Sequence, residues 1–286
     1  MSRHGQGSAG WPLRNQCCIL IQTVWHNEDY YSFTFVYMIS IHDFGSKIDS
    51  LDISLFEMIQ SQTAVADKKT LLAVQRATRN GFGQYVYLEI GSHIGGSIQP
   101  HLLDPDCQLI YSIDNRPYSQ PDERGIEQIY TENSTEKMLE HLRAVAPDNL
   151  HKIVCFESRA QDIDTQLISR RPHICFIDGE HTDKAVVPDF EFCLSVADPD
   201  GVIVFHDSDL VSQGIRSIID ELRRKEIAFK GVKLGGSVYL IGLGSSAVIH
   251  DAEIKRLMRH AGFYFLKSRL RLSYKRYRNR RRASKR

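Results

Sequence analysis

The chain has 286 residues, enough for one large domain or two small ones, and its 42% apolar and 25% charged residues describe a globular protein rather than a disordered one. The net charge of +1 hides an asymmetry: residues 255–286 hold 14 Lys and Arg and no Asp or Glu, leaving 22 basic against 35 acidic side chains elsewhere, a net of −13. An acidic body with a cationic tail argues for a polyanionic partner of the tail, the plainer alternative being a solvated end. The six cysteines (Cys17, Cys18, Cys107, Cys155, Cys175 and Cys193) form no C-x-x-C pair, which argues against a structural zinc site and for a reduced, cytoplasmic setting. The first fifteen residues lack the apolar core of a signal peptide. The apolar runs at 17–25 and 33–41 are each shorter than the ~20 residues a membrane span needs.

Residues 1–48 are rich in aromatics without a clean period, and are set apart as an extension of uncertain structure. From Ser50 to Arg79 the pattern is helical, through Leu51, Leu55, Met58 and Ile59 and then Leu71, Leu72 and Val74, ending at Gly81 and Gly83. A regular alternation follows. Strands are predicted at 84–90, 108–113, 152–156, 173–177 and 202–205, running respectively into GSHIGG, Asp114, Glu157-Ser158, Asp178 and His206-Asp207. Between them, Asn133 with Glu136 three residues on predicts a capped helix through Met138, Leu139, Leu142 and Val145, stopped by Pro147. A helix with a kink or late start at Pro188 carries Val186, Phe190 and Leu194, and one at i, i+3, i+4, i+7 spacing carries Ile215, Ile218, Ile219 and Leu222. Residues 227–234 and 237–241, joined through Gly235-Gly236, predict a closing antiparallel hairpin. The sum is an α/β protein: a doubly wound, mostly parallel, seven-stranded sheet with a C-terminal antiparallel hairpin, spanning 49–250 and followed by a basic tail at 251–286.

In such a sheet ligands bind beyond the carboxyl ends of the strands, where the strand order reverses. All five predicted parallel strands end in polar or ionisable residues, more than surface loops alone account for. The turn from Glu89 through Gly91, Ser92, Gly95 and Gly96 to Ser97 lets bare backbone approach a ligand closely. Asp114, 23 residues after Gly91, is placed to accept hydrogen bonds from ribose hydroxyls. Turn and acid together indicate a nucleoside-containing cofactor. Asp178 and Asp207 supply carboxylates of the kind that hold a hard divalent cation, and Glu180 or His181 can take a proton from a nucleophile.

The run Y-L-E-I-G-S-H-I-G-G-S resembles motif I of the class I S-adenosylmethionine-dependent methyltransferases. F-I-D-G-E-H-T-D-K-A-V with G-V-I-V-F-H-D is similar to the fourth- and fifth-strand signatures of their catechol-type and sugar O-methyltransferase branch. The resemblance covers residues 51–243. It implies a Rossmann-like methyltransferase fold in which Gly91, Ser92, Gly95 and Ser97, with Glu89 nearby, hold the methionine part of S-adenosylmethionine. It also implies that Asp114 binds the ribose and that Ser158, Ala160 and Gln161 lie against the adenine. Asp178 would stand between the cofactor and a divalent metal, Mg²⁺ or another, with His206 and Asp207 as further ligands. His206 stands where the family usually has Asp. Glu180 matches the acidic general base of the sugar-modifying relatives.

The insertion at 115–133 reads as a substrate lid whose Arg116, Asp122 and Arg124 contact a polar, hydroxyl-rich acceptor, the alternatives being an oligomer contact or simple surface elaboration. In the tail, Phe263, Tyr264, Phe265, Leu266, Leu270 and Leu272 are interleaved with cations, which suits an anionic membrane surface, with RNA as the rival. The leading expectation is an O-methyltransferase of a small hydroxylated acceptor such as a sugar of a glycan or glycolipid. The alternatives are an RNA methyltransferase and a non-catalytic cofactor-binding scaffold. The D-G-E-H at the fourth strand end argues against amino methylation of nucleic acid.

Overall fold

Seven short, apolar, β-branched and aromatic runs pair side by side because each exposes apolar side chains on both faces, so that only a sheet covered on both sides buries them. The computed structural model describes residues 41–260 and 262–283. The strands are β1 (Tyr85–Ile90), β2 (Cys107–Ile113), β5 (Ile153–Phe156), β6 (Ile174–Ile177), β7 (Val202–Phe205), β8 (Phe229–Lys233) and β9 (Tyr239–Leu243). Their order is β5-β2-β1-β6-β7-β9-β8. The first five are parallel; β9 runs antiparallel to β7, and β8 antiparallel to β9. The predicted sheet and closing hairpin are therefore both present.

Side-chain alternation along each strand divides the core into two layers. Val86, Leu88 and Ile90 face one side with Cys175, Ile177, Ile203 and Phe205, covered by α5 (Asp183–Val196) and α6 (Ser212–Arg224). Tyr85 and Tyr87 face the other with Ile174, Phe176 and Val204, covered by α2 (Val65–Phe82), α3 (Gln99–Leu103), α4 (Thr135–Val145) and α7 (Ala252–Leu257).

Two local expectations change. The helix predicted over 50–79 is two helices: α1 (Ile41–Asp49) ends before Leu51, at φ +54°, and α2 begins at Val65. The chain between is held off the helical path by Gln99, whose side chain accepts from the Ile59 amide at 2.8 Å and donates to the Ile59 carbonyl at 2.9 Å. Ser134, not Asn133, caps α4, accepting from the Lys137 amide, while Asn133 turns to donate to the Pro117 carbonyl. The extension set at 1–48 has its last part in α1, whose Phe44 and Ile48 are buried against Leu55, Phe56 and Leu72; residues 1–40, including the apolar run at 17–25, lie outside the described residues.

The insertion at 115–133 is a hairpin, β3 (Ser119–Asp122) and β4 (Ile126–Ile129). The tail is likewise built: α8 (Tyr264–Ala283) packs on α6 rather than trailing from the domain. Tyr264, Ser268 and Leu272 are buried, and the Tyr264 ring stacks on Tyr239 with centroids 5.6 Å apart. Among the described residues no helix is long and apolar enough to cross a membrane.

Because Leu272 fills a closed contact, Leu272→Ala should lower the unfolding free energy by about 2 kcal/mol or more, the usual cost of truncating a buried leucine. Urea denaturation measures this, and an unchanged midpoint would mean that the tail helix does not dock.

Candidate active site

The strand order reverses between β1 and β6, and the turn after β1 lies at that crevice. Gly91, at φ +90°, has no room for a side chain: a Cβ there would lie 2.3 Å from the Asp178 carbonyl oxygen. Gly96 is confined in the same way by the Gln60 carbonyl, at 2.9 Å. The bare turn is thus pressed between the end of β6 and the segment ahead of α2, with no room for side chains at Gly91 and Gly96.

Glu89, fully buried one residue before this turn, accepts hydrogen bonds from the hydroxyls of Ser97 and Tyr87. Burial pushes its carboxyl up to about 8, against those two donors and with the help of the Asp178 and Asp114 charges. Asp114 closes the turn from the β2 side: its two oxygens accept from the His93 amide at 2.9 Å and the Arg116 amide at 2.8 Å. Ser92 meets Ser112 at 2.7 Å. Arg116 folds back on the turn, donating to the His93 carbonyl and to Ser92 Oγ, so it braces the cradle instead of reaching for an acceptor. Ser158, Ala160 and Gln161 form the loop and short 3₁₀ turn after β5, at the same edge beyond Asp114; Ala160 is buried and Gln161 exposed.

The second half of the site gathers at Asp178, where β6 ends. His206 Nδ1 lies 2.8 Å from Asp178 Oδ1, and His181 Nε2 lies 3.4 Å from the same oxygen. His181 Nε2 is also 3.7 Å from Asp207 Oδ2. The other ring nitrogen of His206 lies 3.4 Å from Asp67 Oδ2. Burial opposes the charged forms throughout, but the mutual attraction outweighs it: Asp178 and Asp67 are held below the usual carboxylate range, His181 is raised, and His206 is raised well above the ordinary histidine value.

No sequence motif marks Asp67 as a site residue. Its signal was available: Asp67, Thr70, Val74 and Ala77 share the core face of α2 at helical spacing, and an acid on such a face calls for a partner. Its position is fixed by the Ser237 amide and hydroxyl, at 2.6 and 2.9 Å. Gly236 makes this possible, since a Cβ there would lie 1.7 Å from Asp67 Oδ1.

The donor atoms of Asp178, His181 and His206 lie within 4.8 Å of one another, close enough to share a cation. The arrangement fits one. A metal-binding imidazole ordinarily turns its other nitrogen toward a carboxylate, and His206 Nε2 lies 3.4 Å from Asp67. Two imidazoles with carboxylates also suit a borderline ion such as Mn²⁺ or Zn²⁺ better than Mg²⁺, which prefers an all-oxygen shell.

The β3–β4 hairpin stands over this cluster. The Glu123 amide donates to the His181 carbonyl at 3.0 Å, and its carboxylate accepts from the Asp183 amide at 2.9 Å. Asp122 and Arg124 pair with each other, leaving neither turned to an acceptor. Tyr130, just after β4, sets its ring edge-on to His93 with centroids 5.3 Å apart. Glu180 spends one carboxylate oxygen on Thr182, the capping residue of α5, and keeps the other.

Residues 88–208 match the family model described as a methyltransferase domain. The matched segment runs from within β1 to just past β7 and so includes the glycine turn, Asp114, Asp178, His181 and His206. Solved structures to which the chain is similar include an O-methyltransferase from Bacillus cereus in complex with SAH, 13% identical over 68% of this chain and 89% of that one, TM-score 0.44. The O-methyltransferase TomG from Streptomyces achromogenes, involved in tomaymycin synthesis and in complex with SAM, is 16% identical over 68% and 88%, TM-score 0.43. The MycE methyltransferase of the mycinamycin biosynthetic pathway, in complex with Mg and SAH, is 15% identical over 69% of this chain and 54% of that one, TM-score 0.45. No curated protein matches the sequence.

The burial of Glu89 gives the fold a pH signature. Its folded value near 8 stands above the ordinary 4.5, so between these the folded state holds a proton that the unfolded chain has lost. That contribution is complete below pH ~4.5 and is lost as pH rises through ~8. Glu89→Gln should remove it, so denaturation midpoints of wild type and variant should diverge, in the variant's favour, from pH 5 to 8. Parallel profiles would show that Glu89 is ionised in the fold.

Proposed function

We propose that the protein is an S-adenosylmethionine-dependent O-methyltransferase of a small hydroxylated acceptor, a sugar of a glycan or glycolipid being the class in view, assisted by a divalent cation. The observation that carries the reading is the double position of Asp178. Its backbone forms one wall of the glycine turn, while its carboxylate anchors the His206–His181 cluster. A cofactor seated on the turn and a hydroxyl seated on the cluster would therefore be neighbours, as in-line transfer requires.

In this reading Gly91, Ser92, Gly95 and Ser97 cradle the methionine part, with Glu89 beneath it. Asp114 receives the ribose hydroxyls, and Ser158, Ala160 and Gln161 border the adenine. Asp178, His206 and Asp207, with His181 beside them, would hold the cation, which when bound orients hydroxyl oxygens and lowers the pKa of one. Asp67 fixes the His206 ring. His181 Nε2 is committed to Asp178 and Asp207, whereas Glu180 keeps an oxygen free, so Glu180 takes the acceptor's proton. The β3–β4 hairpin and Tyr130 border the acceptor side.

Calorimetry with S-adenosylhomocysteine should show binding by the wild type, weakened about tenfold or more in Asp114→Ala, the scale of a lost hydrogen bond to a charged group. Absence of wild-type binding would overturn the assignment. Methyl transfer from labelled cofactor to a panel of sugars and catechols should fall about a hundredfold or more in Glu180→Gln with cofactor affinity kept. It should also fall in chelator and return with Mn²⁺ or Mg²⁺. Full turnover in excess chelator would remove the cation and leave the transferase reading standing.

A further inference from the structure

The helix α8 presents two faces of opposite character. One face docks through Tyr264, Ser268 and Leu272, through the Arg276–Glu123 ion pair, and through Asn279, whose amide donates to the Arg124 carbonyl at 3.0 Å. On the opposite face Phe263, Leu266, Leu270, Tyr274 and Tyr277 follow one another at intervals of three or four residues, and all five are more than half exposed among the described residues. The cations line both borders of this stripe: Lys267, Arg271, Lys275 and Arg278 along one side, Arg269 and Arg280 along the other, all exposed. Among the described residues, Arg271 has an acid nearby, Asp209, at 4.0 Å.

An isolated exposed leucine needs no explanation, but a continuous apolar stripe between two cationic rails does. Rails of lysine and arginine match a polyanion, and the net −13 of residues 1–254 keeps that polyanion on the tail. The stripe decides which polyanion. Phosphate backbones offer nothing to Leu266 and Leu270, whereas a bilayer offers acyl chains to the leucines, the interfacial level to Tyr274 and Tyr277, and anionic headgroups to the rails.

We infer that α8 lies flat on an anionic membrane surface, with Phe263, Leu266, Leu270, Tyr274 and Tyr277 inserted below the headgroups and the flanking lysines and arginines on lipid phosphates. The docking face then fixes the domain to that surface. Arg276 and Asn279 grip the turn of the β3–β4 hairpin, the same turn that bonds His181 and Asp183, so the acceptor side of the cluster is tied directly to the membrane helix.

Flotation of the full chain with vesicles of phosphatidylcholine alone, or with about a third phosphatidylserine, tests this. The intact protein should float with the anionic vesicles at low salt and lose about tenfold in partitioning at 0.5 M salt, as screened headgroup contacts must. The double variant Leu266→Ser/Leu270→Ser, whose sites are exposed and whose thermal melt should match wild type, should lose about tenfold or more at every salt. Failure of the intact protein to float with anionic vesicles at low salt would overturn the inference. So would equal binding by the double variant, which would reduce the contact to diffuse charge. A steep, salt-dependent shift of RNA by a protein that ignores vesicles would replace the membrane with nucleic acid.

Discussion

The carboxyl edge of the sheet depends on holding Asp178 ionised in a crowded place. It ends a central strand, its backbone is the wall that demands glycine at 91, and Asp67 and Asp207 bring further negative charge close by. Like charges in a partly buried site cannot all ionise without cations between them. His206 and His181 supply that role, one between Asp178 and Asp67, the other between Asp178 and Asp207. The same alternation of carboxylate and imidazole suits a divalent cation, because each ring has one nitrogen toward Asp178 and His206 has its second nitrogen toward a carboxylate that orients it. The electrostatic need of the fold and the chemical need of the site thus coincide in one set of residues.

Around that cluster the structure uses backbone contacts where side chains might have been expected to act. Arg116 and Asp114 are turned onto the glycine turn, which stiffens the cradle before any ligand arrives. Glu123 reaches the main chain of His181 and Asp183, so the hairpin is registered on the cluster without contributing a side chain to it. The tail helix joins the same assembly, because Arg276 and Asn279 close on the hairpin turn. The histidine–carboxylate cluster, the hairpin and the tail form one connected set of contacts at one edge of the sheet.

Much of this was legible in the residues. Strand runs such as YVYLEI and GVIVF, each ending in a polar group, determined the alternating sheet, its closing hairpin and the edge at which Asp114, Asp178 and His206 meet, because period and punctuation are local properties of a chain. The glycines of the first turn were legible for the same reason. What the sequence could not determine were relations across long separations. Asp67 lies 139 residues before His206, and only the packing of α2 against the sheet, with Gly236 leaving room for its carboxylate, brings the two to 3.4 Å. The break in the helix over 50–79 depended on Gln99 pairing with the Ile59 backbone, and the docking of the tail on Tyr264 and Leu272 finding a closed surface on α6 and β9. Composition made residues 255–286 a basic, leucine-bearing segment; which of its apolar residues face the core and which remain outside was decided by tertiary packing, since a helix has two faces and only its neighbours choose between them.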